Sequence, residues 1–225
     1  YLAASFIESL KSSGRDFELF GIGGKELDKF NISRPQDFDR EILNVMGIID
    51  PLKNLRQILR ARKQILDFLI SKNINIFIGV DSPDLNSFFH KKLKKINSTI
   101  NFQIVSPSVW AWRSGRVKQL RKFVDTTFCL FKFEHEYLKK NNVNSFHVGH
   151  PFQDIEKVED VSSIKNRYGI NNDSECLTFL VGSRRSEISN MLSIYKKVIK
   201  KVYEGDKSYS FLFPVVNQDH KNIIQ

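Results

Sequence analysis

Ile74-Asn75-Ile76-Phe77-Ile78-Gly79-Val80, running directly into Asp81-Ser82-Pro83-Asp84, decides how this chain is read. The first segment is an almost continuous apolar run, the pattern of a strand covered on both faces. Ser82-Pro83 then places a capping residue before a proline suited to the first helical position. Behind it, Leu85, Phe88, Phe89 and Leu93 fall on one helical face. Strand followed at once by amphipathic helix is the repeating half of an α/β protein with a parallel sheet.

The same alternation extends in both directions. Strands are expected at 18–22, 74–80, 102–105, 126–131, 145–148, 178–181 and 210–215. Helices are expected at 2–12, 116–124, 134–140 and 185–203. The last of these carries Ile188, Met191, Leu192, Tyr195, Val198 and Ile199 on one stripe. Asp50-Pro51 repeats the capping arrangement and opens a helix bearing Leu52, Leu55, Leu59, Leu66 and Leu69. The chain opens within a helix, so a preceding strand is expected to be missing. Pro151, Asp154, Glu156, Glu159 and Asp160 break the periodicity, so 151–163 reads as a linker. Residues 1–150 then form one α/β domain, and 164–225 begin a second, incomplete one.

Thirty-five Lys and Arg against 25 Asp and Glu give a net charge of +10. That favours an anionic partner: nucleic acid, a phosphorylated substrate or an anionic membrane surface. The lysines are dispersed over many helices and no nucleic-acid-binding motif occurs, which argues against a nucleic-acid-binding protein. Cys129 and Cys176 lie far apart in apolar runs and read as two buried free thiols. No apolar run reaches the roughly 18 residues needed to span a bilayer. The histidines show no metal-ligand spacing.

Several residues are candidates for chemistry. Asp81 follows a buried strand, at the carboxyl edge where open parallel sheets bind ligands. It can serve as a general base toward a hydroxyl, or Asp81 or Ser82 can simply cap the helix. Gly182-Ser183-Arg184-Arg185 also joins a strand to a helix. It suits a diphosphate, or it is a basic surface turn. Trp110 and Trp112, in Val105–Arg113, suit sugar rings, acyl chains or core packing. His150 suits a cleft or a structural hydrogen bond. Gly21-Ile22-Gly23-Gly24 reads as a structural turn.

Taken together, GVDSPDLN (79–86), VSPSVWAWR (105–113), VGHPFQD (148–154), VGSRRSEI (181–188) and NVMGII (44–49) resemble the lipid-A-disaccharide synthase family. FPVVN (213–217) adds to the likeness. The resemblance implies a GT-B glycosyltransferase: a Rossmann-like parallel-sheet N-terminal domain plus an incomplete second Rossmann-like domain, with no cofactor and no metal. It implies transfer of 2,3-diacylglucosamine from UDP-2,3-diacylglucosamine to 2,3-diacylglucosamine 1-phosphate, at the cytoplasmic face of the inner membrane. Asp81 matches the family's proposed base. Arg184 matches the arginine associated with the UDP diphosphate, with Gly182, Ser183 and Glu187 beside it. Asp84, Ser106, Trp110, Trp112, Arg113 and His150 become substrate-cleft candidates. The alternative is another GT-B UDP-sugar enzyme, an epimerase or a transferase with a soluble acceptor.

The sequence departs from the family at Val181 and Lys132, where proline is usual, and lacks the family's N-terminal Gly-rich segment. Both substitutions bear on loop stiffness more than on chemistry. Acylated substrates also suggest membrane docking through the helix from Pro51. Its Leu52, Leu55, Ile58 and Leu59 stand among Lys53, Arg56, Arg60, Arg62 and Lys63. The same periodicity equally fits a helix that packs its leucines onto the sheet.

Overall fold

A computed structural model describes residues 1–38, 55–111, 114–154, 160–183, 185–205 and 208–225. The chain divides into two compact units, Tyr1–Ile155 and Glu156–Gln225.

The first unit is built on four parallel strands in sequential order: β3 (Ile76–Val80), β4 (Ile100–Ile104), β5 (Thr126–Cys129) and β6 (Ser145–His147). A helix makes each crossover: α3 (Pro83–Ile96), α4 (Gly115–Phe123) and α5 (Lys132–Lys140). Sequential order with one crossover hand puts these three helices on one face of the sheet. Before them come α1 (Leu2–Ser12) and α2 (Leu55–Ser71), and a separate parallel pair, β1 (Leu19–Phe20) and β2 (Ile32–Ser33). Ile65, Leu66 and Leu69 of α2 bury against Phe89 and Leu93 of α3. Val117, Leu120 and Val124 pack with Cys129, Leu138 and Val143. Ala4 and Ile7 of α1 pack on Leu27 and Phe30.

The second unit contains α6 (Val161–Arg167), β7 (Cys176–Thr178), α7 (Arg185–Gly205), β8 (Ser210–Leu212) and α8 (Gln218–Ile224), with β7 and β8 parallel. Phe179 stacks on Phe213 and meets Tyr195 edge-on.

Local bounds and burial differ from the expected ones at several places. The strand expected at 178–181 lies at Cys176–Thr178, because its ladder is set by β8. Leu180 is 74% exposed. The two-residue β2 is too short to carry an alternation signal. Within the expected linker, Pro151–Asp154 forms a 3-10 turn and α6 begins at Val161, capped by the Asp160 carboxylate, which accepts from Ser162 N at 3.0 Å. Of the two free thiols, Cys129 is buried but Cys176 is only half-buried. The expected N-cap at Asp50-Pro51, with Leu52, lies outside the described residues, as does the 44–49 segment.

Candidate active site

The carboxyl ends of β3 and β4 are each closed by a turn in an unusual conformation. After β3, Asp81 and Ser82 have φ of 50° and 41°. After β4, Val105 has φ of 72°. Left-handed backbone costs an L-residue roughly 1–2 kcal/mol, and Asp tolerates it better than a β-branched valine. The Asp81 N–H continues the ladder, donating to Ile104 O at 2.9 Å. Ser82 occupies the N-cap position of α3 with Pro83 behind it, but its side chain makes no capping bond. Asp81 itself is exposed at this edge. The Ser82 side chain therefore does not cap the helix, and Asp81 is an exposed residue at the ligand-binding edge of the sheet.

Beneath these turns lies a buried polar layer that sequence reasoning missed. The Asn86 Nδ2 donates to Asp81 O at 2.5 Å. The Gln103 Nε2 reaches Asp81 O at 3.1 Å, Ile104 O at 3.0 Å and Val105 O at 3.2 Å. Gln103 Oε1 is 3.0 Å from His90 Nε2. Asn86, His90 and Gln103 are all buried. Burial pushes the His90 imidazole below its ordinary pKa, against the opposing effects of Gln103 and Asp125. Further down β4, Asn101 Nδ2 donates to His90 O and Phe123 O, and Lys94 bridges both Asp125 carboxylate oxygens. Burial resists ionisation of Asp125, but the Asn101 N–H and Lys94 outweigh it and hold the carboxyl below its usual range. The available signal was the alternation Asn101-Phe102-Gln103-Ile104. Alternation ordinarily marks a face open to water; here the polar face is covered by α3.

The other cleft candidates are placed as follows. Asp84, in the first turn of α3, pairs with Arg116. Ser106 is buried and donates to Pro107 O at 3.1 Å. Trp110 is partly exposed and meets Phe133 edge-on at 4.9 Å. Phe133 stacks on Phe131, Phe131 neighbours His150, and His150 meets Phe152. His150 Nδ1 accepts from Phe152 N at 3.1 Å, which fixes the ring. An aromatic row thus joins the loops that follow β4, β5 and β6. Trp112 and Arg113 lie outside the described residues.

Lys132 opens α5, where Glu134 accepts from Phe131 N at 3.2 Å. The first helical position asks for no donor, so lysine replaces proline there without losing a bond. Gly23 is a tight-packing position: a Cβ there would stand 2.2 Å from Leu27 Cδ1, in keeping with a structural turn.

In the second unit, Gly182 (φ 95°) and Ser183 precede α7. The Glu187 carboxylate accepts from Ser183 N at 3.0 Å and packs against Gly182. It thereby occupies one of the N–H groups that a helix start offers to an anion. Arg184 lies outside the described residues.

Comparison with known proteins agrees with this architecture. Two solved structures share the fold: a putative UDP-N-acetylglucosamine 2-epimerase from Listeria monocytogenes (TM-score 0.61, 13% identity, 97% of this chain and 60% of that one), and the S. aureus MnaA-UDP co-structure (TM-score 0.57, 10% identity, 92% and 56%). The chain therefore has an α/β fold of the GT-B type. Lipid-A-disaccharide synthases from Hydrogenovibrio crunogenus and Acinetobacter baylyi are 35% and 31% identical to it, over 98% and 100% of this chain. The chain spans 58% and 57% of their lengths. The model of the lipid-A-disaccharide synthetase family matches residues 1–225, and the chain belongs to that family.

Proposed function

We propose that the full-length protein transfers 2,3-diacylglucosamine from UDP-2,3-diacylglucosamine to 2,3-diacylglucosamine 1-phosphate. The observation that carries this reading is Asp81, exposed at the carboxyl end of β3 on a left-handed turn, in a chain of this family. Asp81 takes the proton from the acceptor hydroxyl as that oxygen bonds to the anomeric carbon. The bond from that carbon to the UDP oxygen breaks, and UDP leaves. Arg184, on Gly182 and Ser183, neutralises the developing diphosphate charge. Glu187 orders this turn through Ser183 N. Asp84, Ser106, Trp110 and His150 serve the substrate side, and Trp112 and Arg113 are assigned to it by motif match alone. Residues 1–150 serve the acceptor, and 164–225 begin the UDP-sugar side.

The acylated substrates place the protein at an anionic membrane, on the cytoplasmic face of the inner membrane. Among the described residues no helix is long and apolar enough to cross a membrane. Support for peripheral contact comes from α2, where Leu55 and Leu59 are 47% and 52% exposed beside exposed Arg56, Arg60 and Lys63. Ile58 is buried, so it leaves the proposed docking face. Leu52 and Lys53 lie outside the described residues.

Incubating the purified full-length protein with the two acylated substrates tests the reading. UDP release matched by formation of the tetraacyl disaccharide 1-phosphate is expected. UDP release without disaccharide, or turnover only with non-acylated UDP-N-acetylglucosamine, would move the protein to another UDP-sugar reaction.

A further inference from the structure

Among the described residues, Gln103 is the side chain that bonds both left-handed turns at this edge. Its amide nitrogen meets Asp81 O on one side and Val105 O on the other, with Ile104 O between. Two amide hydrogens serve three carbonyls, so one bond is shared. Asn86, from the first turns of α3, adds a second amide to Asp81 O. Gly79 packs tightly against them: a Cβ would stand 2.8 Å from Asn86 Cγ and Nδ2 and from Gln103 Oε1, so one of these amides would have to shift. The orientation of the Gln103 amide is fixed twice. Its nitrogen faces carbonyls, which only accept, and its oxygen faces His90 Nε2, which must then carry the hydrogen. His90 Nδ1 is buried without a hydrogen-bond partner, as the neutral Nε2–H tautomer allows.

We infer that Gln103 and Asn86 are positioning residues that clasp the Asp81 carbonyl and hold the Asp81 carboxylate in its reactive place, with Gln103 tying that turn to the one at Val105-Ser106. The inference rests on Asp81 being the base. The physical reason is that a left-handed turn of Asp81 and Ser82 persists only where the surroundings over-determine it. The carbonyl and the carboxylate belong to one residue, so freeing the first lets the second rotate. Both side chains of the clasp are buried, so its loss is expected to alter the chemical step and leave substrate binding in place.

Gln103→Met in the full-length protein keeps the buried volume and removes both ends of the amide. Steady-state kinetics with the acylated pair should show kcat reduced roughly ten- to a hundred-fold, the range expected of a misplaced catalytic group. KM for the UDP-sugar should change by less than about threefold, with kcat taken per folded molecule by circular dichroism, because an unfolded fraction would also lower apparent kcat at constant KM. Should Gln103→Met not fold, Asn86→Ala deletes the other amide and places a better helix former in α3. It should show the same split. Asp81→Asn and the double variant Asp81→Asn/Gln103→Met are measured alongside. If Asp81 acts through the clasp, the double variant loses little beyond Asp81→Asn alone. Unchanged kcat in Gln103→Met or Asn86→Ala, or a loss confined to KM, overturns the clasp. With Asp81→Asn inactive in the same series, the base itself still stands. Near-normal turnover of Asp81→Asn overturns the base, and the clasp falls with it.

Discussion

Asp81, Ser82 and Val105 show how single residues can depart from their preferred backbone when side chains below them hold the departure in place. Each has φ above 40° without being glycine, and the Asn86 and Gln103 side chains meet the carbonyls of Asp81 and Val105 from beneath. His90 completes this layer and carries a pH signature. Burial lowers its pKa from 6.5. As pH falls below 6.5, unfolded His90 takes up a proton that the folded state refuses, so stability is lost from there down to the lowered folded value. Above 6.5 both states are neutral and this group adds no slope. His90→Gln keeps a donor for Gln103 but does not titrate. Urea midpoints between pH 5 and 7 should therefore fall less steeply with acid in His90→Gln than in the wild type. Equal slopes would show that His90 is not the group responsible. Cys129 illustrates the opposite limit: burial, with Glu134 nearby, pushes its thiol up to about 12, leaving it inert at neutral pH.

Helix α2 shows what an element's periodicity can and cannot say. The sequence allowed its apolar side chains to face either the core or a membrane. The structure divides them: Ile58, Ala61, Ile65, Leu66 and Leu69 are buried, while Leu55 and Leu59 are not. Arg62 is turned inward, over the Phe88 ring. Full burial of a leucine contributes about 1.5–3 kcal/mol, so Leu55→Ser/Leu59→Ser should weaken partitioning onto anionic vesicles at least roughly tenfold. Arg56→Ser/Arg60→Ser should weaken it further at low salt, by about 1 kcal/mol per charge. Sedimentation with vesicles that is unchanged in both variants would remove α2 from the membrane contact. The long elements were legible because α3 buries one stripe, Asn86, Phe89, His90 and Leu93, and α7 buries Ile188 with Met191, Leu192, Tyr195 and Ile199 half-buried on the same face, although Val198 of the expected stripe is exposed. Short ones were not. Helix α6 has no buried residue, so no stripe exists to find, and its only signal was the capping Asp160. In the run from Cys176 to Val181, the sequence shows that a strand passes but not which residues meet β8. The clasp was illegible for another reason: Asn86, His90 and Gln103 converge on one another only after α3 folds back over β4.

At the scale of the molecule, a +10 chain of GT-B type fits anionic partners. The reading adopted needs three: a diphosphate, a sugar phosphate and a lipid surface. The class was legible because motif-bearing loops recur after successive strands, and that is where parallel sheets present their ligands. The structure joins Asp81 to the Val105-Ser106 turn through Gln103. It joins Trp110 to His150 through Phe133 and Phe131. Neither linkage could be read from spacing, since each depends on contacts between distant segments. The central claim is that Asp81 performs the proton transfer of a glycosyl transfer to an acylated acceptor. Its most direct test is the turnover of full-length wild type and Asp81→Asn on the acylated substrate pair, at matched folded content by circular dichroism. The account predicts disaccharide formation by the wild type and a loss of ~10²–10⁴-fold in the variant. Turnover of folded Asp81→Asn close to that of the wild type would contradict it.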